Sequence, residues 1–228
     1  VKMVEKILND IDEMKSTLNK FSYSKGQLRI AAYETFCVND LQPIIFKYIK
    51  SFPEVETKVF AFDTEKVIDG VKNGIYDIGI ISGEAKDINS LQQIKISEDP
   101  IILVTSQKCY KHYSREQLLT ELPLIKYLTT VQYGKDLDAF IKRNNLDGNR
   151  RILTFSSLEA VKSAVLHNIG VAVLTRDIVM KELIRGDIVA LKTNYENIMI
   201  STSLVYSKES NSLNLIQKFC EVVKKYWK

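Results

Sequence analysis

From Gly26 onward, short apolar runs alternate with segments of helical periodicity, and this alternation limits the fold more than any other feature. Runs at 28–32, 57–62, 77–81, 101–105, 124–127, 151–155, 171–174, 188–191 and 201–206 read as strands. Segments 41–51, 64–73, 115–121, 135–144, 158–167, 176–184 and 213–226 between or after them read as helices. Phe52-Pro53 stops the first helix because proline supplies no N–H, and Gly74 closes the second as a C-terminal cap. Asp77-Ile78-Gly79-Ile80-Ile81 is apolar on both faces, as a buried parallel strand is. Strands separated by helices of about ten residues form βα units and a mostly parallel sheet. The rhythm runs in two series, which predicts an α/β protein of two Rossmann-like lobes. Ligand chemistry is then expected at the carboxyl ends of the strands, in the cleft between the lobes.

The chain has 228 residues, 45% of them hydrophobic, which suffices for one large domain or two small ones with real cores. Its net charge of +4 suits small anions but is too weak and dispersed for a nucleic-acid surface. No glycine-rich phosphate loop follows a strand, and no CxxC, HExxH or paired-histidine spacing occurs, so neither a cofactor nor a metal is expected. The three cysteines, Cys37, Cys109 and Cys220, are odd in number and widely spaced, which fits a reducing cytosol. No apolar run is long enough to span a membrane and no export signal opens the chain. Because Val1-Lys2 falls inside a helical pattern, the chain is expected to be a fragment or processed form lacking an upstream part.

That opening pattern is a heptad seam. Val4, Ile7, Ile11, Met14, Leu18 and Phe21 recur at steps of three and four, with Lys, Glu, Asp and Asn on the other faces. Residues 1–22 therefore read as an amphipathic helix pairing with a second helix, the alternative being a helix folded back on its own domain. Ser22-Tyr23-Ser24-Lys25-Gly26 breaks the seam as a short linker.

The order of these parts resembles the effector-binding region of LysR-type transcriptional regulators. The resemblance rests on the heptad helix and linker, Gly26-Gln27-Leu28-Arg29-Ile30-Ala31, the helix ending Phe52-Pro53, Gly74-Ile75-Tyr76-Asp77-Ile78-Gly79-Ile80, Ser156-Ser157-Leu158-Glu159-Ala160-Val161 and Gly170-Val171-Ala172-Val173-Leu174. It covers essentially the whole chain. It implies a fold of two lobes of the periplasmic-binding-protein type II kind after a dimerising linker helix (1–23), with crossings near Thr105-Ser106 and Met199–Thr202. Lobe I is then 24–105 plus 202–228, and lobe II is 106–201. It further implies a homodimer, leaves a tetramer open, and places DNA binding in a winged helix-turn-helix upstream of Val1.

Effector contacts are expected at strand ends. Thr35, in the loop Tyr33-Glu34-Thr35-Phe36-Cys37, matches the position where the family carries a Ser or Thr that touches the effector. A helix starting just beyond would add free N–H groups for a carboxylate, although Thr35 can equally cap that helix. Tyr33 and Phe36 imply a narrow pocket or an aromatic wall. Ser82 follows a strand, as a cleft residue or a plain turn. Gln132 and Tyr133 lie in a loop the family uses for polar contacts. Ser156-x-x-Glu159 reads as a capping box, which leaves Ser157 free to point inward, and Thr175 has similar standing. Of the cations near strand ends (Lys126, Lys135, Arg176 and Lys208), Arg176 is preferred because a guanidinium grips a carboxylate with two hydrogen bonds. Cys37, near a helix start, reads as a buried apolar residue or a redox-sensitive thiol. Neither His112 nor His167 completes a nucleophile pair with it.

The expected function is that of a cytoplasmic sensor of a small polar or anionic metabolite. An extracytoplasmic solute-binding protein of a transporter is the alternative, and an enzyme ranks last for want of a catalytic constellation.

Overall fold

The computed structural model describes residues 26–85, 89–128, 132–193 and 198–226, with only the backbone of Gln132. The heptad residues Val4, Ile7, Ile11, Met14, Leu18 and Phe21 lie outside the described residues.

Element order is β1 (Gly26–Ala32), α1 (Glu34–Asn39), α2 (Leu41–Ser51), β2 (Val55–Ala61), α3 (Thr64–Lys72), β3 (Ile78–Ser82), β4 (Leu91–Ser106), α4 (Gln107–His112), α5 (Arg115–Thr120), β5 (Leu124–Tyr127), α6 (Gln132–Arg143), β6 (Ile152–Phe155), α7 (Leu158–Leu166) and β7 (Val171–Thr175). A 3₁₀ turn (Arg176–Val179), α8 (Met180–Arg185), β8 (Ile188–Leu191), β9 (Met199–Ser207) and α9 (Leu213–Tyr226) complete it. The chain divides into two compact units. Unit 1 takes the described residues up to Ile81, those of 85–96 and those from Ser203 on; unit 2 takes Ser82–Glu84 and the described residues of 97–202. The chain thus crosses within β4, after Ile96, and returns within β9, after Thr202. The first crossing comes ahead of the expected Thr105-Ser106, because β4 is one sixteen-residue strand rather than the short run 101–105.

In unit 1, β1 lies between β2 and β3 and pairs with both in parallel. Successive side chains of β1 point to opposite faces. Leu28, Ile30 and Ala32 join Leu41, Ile44 and Tyr48 of α2 and Ile216 and Phe219 of α9 in one apolar cluster. Ala31 faces the other way, into a cluster with Val67 and Val71 of α3 and Val205 of β9. Where β1 and β3 meet, Asp77 locks them: Arg29 donates from its backbone N (2.8 Å), Nε (3.0 Å) and Nη2 (3.0 Å) to the buried Asp77 carboxylate.

In unit 2 the strand order is β4-β7-β5-β6, with β8 on the other side of β4. β5 runs parallel to β6 and β7, whereas β4 is antiparallel to β7 and β8, so the sheet is mixed rather than mostly parallel. Its core combines Ile101 and Leu103 of β4, Leu124 and Ile125 of β5 and Val173 of β7 with Phe140 of α6 and Val161 of α7. Two residues fasten the ends of elements. Arg150 donates to the carbonyls of Leu118, Leu119 and Leu122, which satisfies the C-terminal end of α5. Gly170 passes so close to Pro123 that a Cβ on it would sit 2.1 Å from the Pro123 carbonyl oxygen.

Candidate functional site

The expected contact residues fall into two groups by unit, Tyr33, Thr35 and Phe36 in unit 1 and the rest in unit 2.

In unit 1 the segment after β1 is helix, not loop. α1 begins at Glu34, capped by Tyr33 without a side-chain bond. A six-residue helix is too short for periodicity to reveal, which is why 33–37 reads as a loop in the sequence. Thr35 therefore does not cap. It lies in the first turn, 5% exposed, and its Oγ1 has no hydrogen-bond partner among the described residues. Burying a hydroxyl unpaired costs about 1–3 kcal/mol, so such a group calls for an explanation. Phe36 is 2% exposed and belongs to the core rather than to an open aromatic wall, with the half-buried Tyr33 ring 5.6 Å away.

Cys37 follows, buried, its thiol aimed at the carbonyls of Ala32 (3.7 Å) and Phe60 (3.9 Å). Burial, reinforced by Glu34, pushes this thiol up to about 11, and burial pushes Cys220 up to about 11 as well. A thiolate at the helix start is thus disfavoured, against the redox-sensitive reading. At pH 7.5 the folded protein is expected to react with iodoacetamide at Cys37 and Cys220 at least tenfold more slowly than the urea-unfolded protein, as measured by peptide mass spectrometry.

In unit 2, Tyr133 and Thr175 come together. Both are buried, at 8% and 4% exposure, with Tyr133 Oη 3.3 Å from Thr175 Oγ1. The Thr175 backbone N donates to Tyr133 Oη (3.4 Å). Tyr127 stands edge-on to Tyr133 at 6.1 Å. Arg176 is exposed at the start of the 3₁₀ turn and Ser82 ends β3 half-buried. Gln132 opens α6.

Ser157 does carry a structural duty. It is the N-cap of α7 and accepts from the Ala160 N–H, so the capping residue is Ser157 and not Ser156. One register step separates the two serines, and either sits before the same apolar run. His167 closes that helix, its Nδ1 2.8 Å from the Ser163 carbonyl.

Two acids join this site that the sequence reading did not single out. Asp99 of β4 and Asp177 of the 3₁₀ turn both lie beyond the last paired residues of the antiparallel β4–β7 ladder, Ile101 and Thr175. Burial, then the Asp177 charge, raise Asp99 to about 6, while Arg176 pulls it back. Asp177 is also raised, mainly by burial, and its Oδ1 is buried with no partner among the described residues. An acid just beyond a strand end was a visible signal for Asp177, but its influence on Asp99 of another strand is something no local pattern encodes. Among the described residues, no three His, Cys, Asp or Glu side chains gather closely enough to hold a metal ion. No helix among them is long and apolar enough to cross a membrane.

The family model described as LysR substrate binding domain matches residues 22–228. The chain is similar to the HTH-type transcriptional regulator CzcR of Bacillus subtilis (strain 168), 26% identical over 223 residues, which are 98% of this chain and 75% of that protein. Among solved structures it is similar to the apo-form of the regulatory domain of HypT from Salmonella typhimurium (TM-score 0.73, 18% identity, 90% of this chain and 97% of that one). It is also similar to CbnR, a LysR family transcriptional regulator (TM-score 0.67, 13% identity, 99% of this chain and 77% of that one). These likenesses give the mixed α/β fold as that of LysR regulatory domains, the periplasmic-binding-protein type II kind.

Proposed function

The chain belongs to the LysR substrate-binding domain family, and from that membership we propose that it is the effector-sensing and dimerisation region of a LysR-type transcriptional regulator. The buried, unpaired hydroxyl of Thr35 carries the sensing part of this reading, because a small polar ligand arriving at β1 would supply the missing partner. The effector is a small polar or anionic metabolite with two sets of contacts: Tyr33 and Thr35 from one lobe, and Ser82, Gln132, Tyr133, Thr175 and Arg176 from the other. Of these, the exposed Arg176 guanidinium suits a carboxylate. Phe36 and Ser157 act behind this shell, one in the core and one as a helix cap.

Ligand binding favours one arrangement of the lobes and, through residues 1–23, one geometry of a homodimer or tetramer. In the parent regulator this moves the DNA-reading heads, and it needs no catalytic step. A cytoplasmic location follows from that role. The solute-binding alternative loses ground because the relatives named above are transcriptional regulators.

The test is DNase footprinting of the full-length regulator on its own promoter with a panel of carboxylates, amino acids and sugars. One of them is expected to alter the footprint and to raise the melting temperature of this chain, since a ligand at one hundred times its Kd adds about 2.7 kcal/mol. Thr35→Val keeps the shape and removes the orphan hydroxyl. It is expected to leave ligand-free stability unchanged or higher by about 1 kcal/mol and to weaken the ligand at least tenfold. A footprint that no small molecule alters would sink the reading.

A further inference from the structure

We propose that unit 1 carries a binding site for a short alkyl carboxylate, a fatty acid of about six to eight carbons, in the groove between β4, β9 and α9. The groove encloses about 210 Å³ and is lined by Ile94, Lys95 and Ile96 of β4, Leu204 of β9, and Cys220, Val223 and Lys224 of α9. All of these residues belong to unit 1, so the site is complete within one compact unit. It shares none of them with the contacts around Thr35, and its existence does not depend on those contacts.

Two sequence periods build the walls. Ile94 and Ile96 stand two apart on a strand and share one face, where both pack half-buried against the apolar cluster of unit 1. Lys95 between them is exposed and alternates to the opposite face, so it lines the groove with its main chain. Cys220, Val223 and Lys224 recur at steps of three and four along α9 and share one side of that helix. Leu204, Cys220 and Val223 are buried and form the floor. Burial keeps the Cys220 thiol protonated at neutral pH, which adds to the apolar character. No acid and no aromatic ring lines the groove.

Size and charge then define the occupant. An engineered cavity of about 150 Å³ with aliphatic and aromatic walls takes up benzene, so about 210 Å³ suits a slightly larger apolar body. Aliphatic walls offer no ring to stack on, which favours an alkyl chain over an aromatic one. The space is too small for the face of another protein, since stable interfaces bury about 800 Å² on each partner. Lys224 fixes the other end of the ligand. It is exposed at the mouth, its charge acts on the Cys220 thiol, and among the described residues it forms no hydrogen bond or ion pair. A carboxylate is costly to bury, so a ligand that lays its chain on the floor and keeps its carboxylate at the rim beside this ammonium meets both demands. An alkylamine is repelled at the same place.

The experiment is thermal unfolding and amide-resolved NMR of this chain with hexanoate and octanoate, set against 1-octanol, octylamine, acetate and benzoate. Octanoate is expected to raise the melting temperature by several degrees and to shift the amides of residues 94–96, 204 and 220–224. Acetate, benzoate and 1-octanol are expected to give less than half that rise, and octylamine none. Lys224→Met keeps the apolar stem at an exposed position and removes the charge. It is expected to weaken octanoate about three- to fivefold and to leave 1-octanol unchanged, a split that a merely structural lysine would not produce. Ile96→Trp fills the groove and is expected to abolish binding of both. Should that variant fail to fold, the split between acid and alcohol in Lys224→Met decides alone. The proposal is overturned if octanoate leaves those amides unmoved, if benzoate or octylamine stabilises as well as octanoate, or if Lys224→Met treats acid and alcohol alike. Shifts at the same amides that follow protein concentration rather than added acid mean that a second copy fills the groove, and overturn it too. Thr35 takes no part in the site, so none of these outcomes bears on the sensor reading.

Discussion

Asp77→Ala is expected to destabilise unit 1 by about 2–3 kcal/mol, because it leaves a backbone N–H without its acceptor while the partly exposed Arg29 guanidinium can turn to water. The size follows from what Asp77 holds. It is 5% exposed and accepts three hydrogen bonds from Arg29, two from the guanidinium and one from the backbone N–H, while its own N–H donates to the Arg29 carbonyl at 2.9 Å. Removing the carboxylate strands the Arg29 backbone N–H just ahead of the point where β1 and β3 come into register at Ile30 and Ile78. Asp77→Asn retains an acceptor for the backbone N–H and is expected to cost less than half as much. Urea unfolding followed by circular dichroism measures both. Equal losses would mean that the charge contributes nothing and that shape alone matters.

Gly170→Ala is expected to cost unit 2 about 3 kcal/mol, at the upper end of ordinary overpacking. The obstacle is backbone, which cannot swing aside as a side chain can. The new methyl would collide with the carbonyl of Pro123, the group that accepts the Val171 N–H at 3.0 Å and sets Leu124 opposite Val171 at the start of the β5–β7 ladder. The Gly170 carbonyl is also tied, by the Thr105 hydroxyl at 3.1 Å, so the segment has no free direction in which to retreat. Gly148→Ala makes the control, since a Cβ there meets nothing within 4 Å. It is expected to change stability by no more than about 0.5 kcal/mol. Differential scanning calorimetry of the pair separates a steric cause from the generic effect of losing a glycine.

How far the fold was legible depends on the length and punctuation of each element. Helices at Leu41–Ser51 and Leu213–Tyr226 and strands at Leu124–Tyr127 and Ile188–Leu191 have the bounds their apolar periodicity and flanking residues gave. α1 and α4, of six residues each, are too short to show a period. The first half of β4 escaped notice because Gln92, Lys95 and Glu98 face solvent along it and Pro100, which has no N–H, reads as a break. The site divides along a similar line. Thr35 and Tyr133 were legible as polar groups near the ends of strands. Their environments were not: an orphan Thr35 hydroxyl, the Tyr133–Thr175 hydroxyl pair and a buried Asp177 oxygen all arise from residues brought together by packing over dozens of positions.

The route of the chain through the two units bears on how the molecule is made. Apart from Ser82–Glu84, unit 2 is one insertion into unit 1, entered after Ile96 and left after Thr202. On a ribosome the inserted unit has all its residues available by Thr202, whereas the other still lacks Leu204, Ile216 and Phe219, each 1% exposed or less in the finished core. Of the two units, the one begun first is therefore the last to be completed. Until α9 emerges, Leu28, Ile30, Ile44 and Tyr48 have no apolar cover on that side, and nascent chains stalled before Ser203 present exactly the surface on which aggregation and chaperone capture act.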